Sequence, residues 1–329
     1  MRIYNIDFLR GLAVSMVIII HSSSSTLPGV EESALHELFE IGKYGVQIFF
    51  VISGYIICYS LFHSNYSIKN LLPFFAKRLV RINPPAYILI IGFLLIELFT
   101  YLVSSNYLIL PDPFNLKLIL ANFLFLSNAF GTDLYIDTFW TLEIELQFYL
   151  LIGIMFPFLV NKSKVVRFIA LGGIILFGFS AIPIALTGYV ACFLLGICYF
   201  LMQFHFINKW GLLVSCIVFA MLFLFHNQYF ELFFSFLSLF FISLKKPIKS
   251  RLFQYLGRIS YSLYIIHVFV FIYLDAFLNK LDLYFFHDSL ATKAILIIGY
   301  IGIAILVSDL FYKYIEKPFI NYSKRITWN

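Results

Sequence analysis

The chain has 329 residues, of which 62% are hydrophobic, 20% aromatic and only 12% charged, with a mean hydropathy of +0.93. A soluble domain carries about twice that charged fraction, so the composition excludes a soluble enzyme and indicates a polytopic membrane protein. The net charge of +6 falls in short loops between apolar runs. That is a topological pattern rather than a nucleic-acid footprint, and no nucleic-acid partner is expected.

Ten spans are expected, at about residues 8–24, 43–62, 84–103, 139–160, 165–181, 184–203, 209–226, 229–244, 259–277 and 293–313. The fold class is all-α: one membrane helix bundle over residues 1–329, with no internal repeat. Ser22 to Ser25 after the first apolar run resemble a signal-peptide cleavage region. Asp7 and Arg10 at its start argue for a retained first helix. Residues 115–130 are apolar but short, and read as an interfacial or re-entrant helix. Of the 23 Lys and Arg, all but Lys43, Lys117, Lys280 and Lys293 fall on one side of the spans. The other side collects Glu31, Glu32, Glu37, Glu40, Asp112, Asp133, Asp137, Asp282 and Asp288. The positive-inside rule then puts both termini in the cytoplasm. The four cysteines, Cys58, Cys192, Cys198 and Cys216, lie in apolar segments and match neither a metal site nor a disulfide framework.

In the first span, Arg10 and His21 are eleven residues apart, so they share a helical face about 16 Å apart along the axis, and Asp7 joins the stripe. An ionisable group at that depth reads as functional. In the second span Gly54 allows close helix approach, and Ser53 beside it is a candidate cavity residue. The following loop ends FFAKRLVRINPP. Arg78 and Arg81 share a face, with Lys77 adjacent; together they fit either a phosphate clamp or a lipid-headgroup anchor. Pro84 and Pro85 mark the start of the third span.

The fourth span opens FWTLEIELQFYLL. Glu143 and Glu145 point about 200° apart, and Glu145 aligns with Tyr149. Glu145 is expected to approach the site from the external side. Glu97 is a second buried-looking acid. In the ninth span Ser260, Tyr264 and His267 share a face, and His267 reaches the same depth as His21. Two histidines at one depth point to a shared polar cavity. In the last span Asp309 and Glu316 are seven apart and share a face; Asp309 reads as a counter-ion within the bundle, Glu316 as an inner-interface residue.

These motifs, in this order, resemble the acyltransferase-3 family of integral-membrane O-acyltransferases. They are IDFLRGLA with His21 after it, GVQIFFVISGY, FFAKRLVRINP, FWTLEIELQFYLL, LGRISYSLYIIH and YIEKPF. The match runs through almost the whole chain and resembles the stand-alone type. The resemblance implies an O-acyltransferase, by family frequency an O-acetyltransferase, in the bacterial cytoplasmic membrane. It implies acetyl-CoA or another acyl-CoA as donor, no tightly bound cofactor and no metal, with membrane lipid and a surface glycan or glycolipid acceptor as partners. Arg10, His21, Arg78, Arg81 and Glu145 are the matching polar positions, while Glu143 stands where members usually carry a small or apolar residue. On this reading acyl-CoA docks at the cytoplasmic mouth on Arg78 and Arg81, with Lys77 beside them. The thioester reaches down the cavity to His21, the base or transient acyl acceptor, and Glu145 orients the acceptor. The alternative is a proton- or ion-coupled transporter, for which buried His, Glu and Asp serve equally well, although no duplicated halves are visible.

Overall fold

In the absence of water, every backbone N–H and C=O in a membrane must be satisfied within the chain, so apolar segments of this length become helices. The computed structural model describes residues 4–24, 39–178, 180, 185–225, 228–280 and 290–327. Among these residues all regular structure is helical. The longer helices are α1 (Tyr4–Ser24), α2 (Gly45–His63), α3 (Leu71–Ser104), α4 (Leu116–Leu124), α5 (Trp140–Leu159), α6 (Lys164–Gly178), α7 (Val190–Gln203), α8 (Lys209–Phe225), α9 (Tyr229–Ser243), α10 (Arg251–Arg258), α11 (Ser260–Lys280), α12 (Leu290–Phe311) and α13 (Lys317–Ser323). Among the described residues, seven helical stretches are long and apolar enough to cross a membrane. The other three expected spans are α6, α8 and α9, of 15, 17 and 15 residues. At 1.5 Å per residue these reach about 22–26 Å, short of a ~30 Å hydrocarbon core.

α1 is enclosed by the bundle. Its Leu9, Ala13, Val14, Val17 and Ile18 are buried, and it packs against α2, α10 and α11. Asn5 ties its start to the loop before α10. Its Nδ2 donates to the Leu244 carbonyl (2.9 Å), and its Oδ1 accepts from the Ile248 amide (2.8 Å). Glycines set the closest approaches. A Cβ on Gly54 of α2 would meet the Phe193 backbone carbonyl of α7, and one on Gly196 would meet the Val51 carbonyl, so this crossing is backbone against backbone. Gly45 faces Ala13 and Val17, and Gly42 faces Met16 and Ile20. α1 and α2 therefore run antiparallel in a defined register.

One expectation about an element boundary is corrected. The third span does not start at the prolines. α3 is a 34-residue helix with Pro84 and Pro85 inside it, about 51 Å long. Arg78 and Arg81 are consequently held on a helix, not in a loop. The prolines remove the amides that would bond the Val80 and Arg81 carbonyls; the Tyr261 hydroxyl donates to the next carbonyl, Ile82 (2.6 Å), and ties this turn of α3 to α11. At the other end, residues 105–139 form a folded cap, and the short helix read at 115–130 is present in it as α4. Asn115 caps α4 by accepting from the Lys117 and Leu118 amides. Asn122 donates to the Leu118 and Asp133 carbonyls and accepts from the Tyr135 amide. Glu97, with no exposed surface, accepts from the Leu108 amide (2.9 Å) and the Ile109 amide (3.3 Å). Burial pushes the Tyr135 phenol up to about 12, so it stays protonated as donor to the Pro113 carbonyl. Glu31, Glu32, Glu37, Asp282, Asp288 and Ser25 lie outside the described residues. None of the four cysteines is in a disulfide.

Candidate active site

A cavity of about 750 Å³ opens between α2, α3, α5, α11 and the C-terminal helices. Its lining along α2 runs from Ser64 to Val46, about 27 Å at helical rise. One end carries His63, Ser64, Arg258 and Lys324; the other carries Val46, Phe49, Thr141 and Tyr264. Three guanidiniums converge between them: Arg10 from α1 and Arg78 and Arg81 from α3. Arg78 lies 5.5 Å from the ring centroids of both Phe74 and Tyr149, a cation–π seat that holds the planar fork in place. Among the described residues its buried Nε has no hydrogen-bond partner. Such a cluster of forked donors fits phosphate groups.

Two carboxylates share this chamber. The Tyr149 hydroxyl donates to Glu145, as the i, i+4 spacing implied, and Glu145 acts electrostatically on both Arg10 and Arg78. Glu145 was expected to approach from the external side. It sits instead in the same chamber as the arginines, because the cavity extends nearly the full depth of α5's neighbours. Glu143 points away, as its 200° offset required. It is 3% exposed and accepts from the Asn128 amide (3.2 Å) and Gln147 Nε2 (3.3 Å). Glu316, read from sequence as an interface residue, is 2% exposed and lines the cavity. It accepts from the Ser262 hydroxyl (2.5 Å) and amide (3.2 Å).

The structure separates Glu316 from Asp309. Residues Tyr312–Glu316 form a turn of π-helix, whose wider winding breaks the seven-residue register. Asp309 accepts from the Tyr255 hydroxyl (2.9 Å) and does not line the cavity. Lys77 also lies outside the lining, while Ser53, Tyr149, Ser260 and Tyr264 are part of it. Thr141, Tyr261, Arg258 and Lys324 are lining residues the sequence reading did not single out. Thr141 and Tyr261 sit inside quoted motifs, but nothing in those motifs marks which side of the helix faces space.

His21 and His267 meet. His267 Nε2 lies 3.2 Å from His21 Nδ1, and the rings are 5.0 Å apart. The shared depth inferred from spacing thus becomes a direct contact. Neither histidine lines the cavity, however. The α1–α2 register puts His21 about seven residues, or ~10 Å, beyond the level of Val46. The continuous path from cavity to His21 expected from sequence is interrupted. Tyr264 stands at the inner end, its ring 6.0 Å from His267. Thr141 Oγ1 donates to the Thr138 carbonyl (2.9 Å). Its oxygen then accepts the Tyr264 hydroxyl (3.0 Å), which ties Tyr264 to the turn carrying Asp137. Asp137 is close enough to His21 to act on its charge.

Residues 3–313 match the family model described as an acyltransferase domain. This chain belongs to the acyltransferase-3 family. It is similar to O-acetyltransferase OatA of Staphylococcus aureus (strain NCTC 8325 / PS 47), with 30% identity over 172 residues, covering 48% of this chain and 25% of that protein. It is also similar to peptidoglycan O-acetyltransferase OatA of Listeria monocytogenes serovar 1/2a (strain ATCC BAA-679 / EGD-e), with 32% identity over 166 residues, covering 45% of this chain and 23% of that protein. The matched region is therefore about a quarter of the length of these curated relatives. No solved structure matches the chain. Family membership and the seven apolar helices make it a multi-pass membrane protein of an acyltransferase family, and the transport reading is set aside.

Proposed function

We propose that the protein is a membrane O-acyltransferase of the bacterial cytoplasmic membrane, moving an acyl group, most simply acetyl, from cytoplasmic acyl-CoA to a hydroxyl of a surface glycan or glycolipid. Ten spans with both termini in the cytoplasm complete the proposal. The observation that carries it is one cavity with three arginines midway along it and a histidine pair beyond its inner end. The pyrophosphate of acyl-CoA pairs with Arg78 and Arg81, with Arg10 behind them. The pantetheine arm then lies along the α2 face towards Thr141 and Tyr264. The family relationship supports acyl transfer, the names of both relatives support O-acetyl transfer, and the name of the Listeria relative supports a glycan acceptor.

In the chemical step the acceptor hydroxyl attacks the thioester carbonyl while a ring nitrogen of His21 takes its proton. The C–S bond breaks and the histidine returns the proton to the departing thiolate, so the products are the O-acyl ester and CoA-SH with the histidine neutral again. For the acyl carbon to meet the acceptor beside His21, the Tyr264 side chain must leave its bond to Thr141. Glu145 balances the arginine charge from within the chamber.

The test is transfer from radiolabelled acetyl-CoA to a glycan or glycolipid acceptor by detergent-purified protein. His21→Ala is expected to abolish transfer while keeping the elution profile and thermal transition of the folded protein. Wild-type turnover by folded His21→Ala sinks the assignment.

A further inference from the structure

His267 has no exposed surface and does not line the cavity, yet both its ring nitrogens are engaged. Nδ1 lies 3.0 Å from the Leu263 carbonyl and Nε2 lies 3.2 Å from His21 Nδ1. His21 Nδ1 also lies 2.8 Å from the Val17 carbonyl. A carbonyl oxygen only accepts, so in this network both Nδ1 atoms carry a proton. A neutral imidazole has a single N–H. His267 Nε2 therefore presents a lone pair and accepts from His21 Nδ1–H, which it shares with Val17. The lone pair of His21 is then on Nε2.

We propose that His267 is a positioning residue for His21. It holds His21 as the Nδ1–H tautomer, so that Nε2 is the nitrogen that takes the acceptor's proton, and it strengthens its hydrogen bond when His21 becomes cationic. The inference rests on the reading of His21 as the proton-handling group. The arrangement differs from a histidine oriented by a carboxylate in that the partner is neutral. A neutral acceptor orients the ring without placing a second charge in a low-dielectric interior. It also ends the chain of proton donors. Were the His21 Nδ1 proton to pass to His267, the proton on His267 Nδ1 would face backbone carbonyls, Leu263 foremost, which cannot relay it. The pair holds a proton in place and does not conduct one.

Two measurements on the full chain test this. The first is ¹⁵N NMR of histidine-labelled wild-type protein in nanodiscs, with the His21 signals assigned by their loss in His21→Ala. His21 is expected to carry its proton on Nδ1 and not on Nε2; a proton on Nε2 in the wild type overturns the proposal. The second is kinetics of His267→Phe and His267→Gln. Phenylalanine fills the space but cannot accept a hydrogen bond, whereas the glutamine amide oxygen can. His267→Phe is expected to lower kcat about 10- to 100-fold, by analogy with loss of the hydrogen-bond partner of a metal-bound histidine, with the KM for acetyl-CoA unchanged. His267→Gln is expected to recover most of that loss. Unchanged kcat in folded His267→Phe, or equal losses in both variants, overturns the positioning role. Should His21→Ala retain full transfer, the functional reading of His21 fails instead, and the wild-type NMR result still decides the tautomer.

Discussion

Replacing Arg78 by lysine separates a phosphate clamp from a lipid-headgroup anchor. The lysine keeps the positive charge but loses the planar fork and its seat between Phe74 and Tyr149, whose centroids both lie 5.5 Å from the guanidinium. A hydrogen bond to a charged group is worth ~1.5–3 kcal/mol. At 1.4 kcal/mol per tenfold, losing one such bond to a phosphate raises the KM for acyl-CoA roughly 10- to 150-fold. The cation–π contact, worth ~0.5–2 kcal/mol, is made with and without acyl-CoA, so its loss bears on stability rather than on KM. The phosphates lie far from the bonds that change, so ground and transition states lose equally and kcat should move by less than about threefold. The assay is initial-rate transfer over a range of acetyl-CoA concentrations, paired with calorimetric titration of CoA alone and a thermal scan. An unchanged KM and CoA affinity in a protein that melts normally would refute the clamp. It would leave Arg78 as a membrane anchor.

Two further substitutions probe the frame around the site. Gly54→Val is expected to lower the melting temperature by several degrees, since overpacking costs about 1–3 kcal/mol and the atom it meets is the Phe193 backbone carbonyl, which cannot move aside as a side chain would; a scan that coincides with wild type would mean α2 and α7 can part freely. Glu316→Gln should melt within a degree or two of wild type, because one amide oxygen still accepts from Ser262, whereas Glu316→Ala leaves the Ser262 groups unsatisfied at about 1–3 kcal/mol. Equal melting of the two variants would argue against that hydrogen-bond role.

Spacing along single helices was the most legible part of the site. The eleven residues from Arg10 to His21 and the seven from Ser260 to His267 fixed two stripes. Their equal depths anticipated the 3.2 Å contact between the histidines. Glu145 and Tyr149 met as i, i+4 partners. What failed were readings that needed the winding or the path of the chain. Pro84 and Pro85 looked like a helix start, but they lie inside one 34-residue helix, α3. Asp309 and Glu316 looked co-facial, but a π-turn between them shifts the register, and no residue in YKYIE announces it. The depth of Glu145 was counted from one surface, which says nothing about a cavity that runs about 27 Å along α2. That the cavity ends at Tyr264 depends on how side chains from α2, α5 and α11 meet, and periodicity within any one helix carries no information about that.

The two ends of the cavity tie topology to chemistry, and cysteine labelling can test both together. Three native cysteines are buried and Cys216 is part-buried, so a Cys216→Ser background is silent to a membrane-impermeant maleimide. Lys117 is exposed in the first turn of α4, within the cap that also carries Asp137. Lys324 is exposed at the cavity end that carries His63 and Arg258. If basic loops are cytoplasmic, Lys117→Cys labels in intact cells and Lys324→Cys labels only after permeabilisation. If that end admits acyl-CoA, CoA added to the permeabilised cells should slow labelling of Lys324→Cys and leave Lys117→Cys unaffected. Labelling of Lys117→Cys only after permeabilisation would invert the bundle. The arginine cluster would then open to the outside, where no acyl-CoA is available, and the donor assignment would fall with the topology.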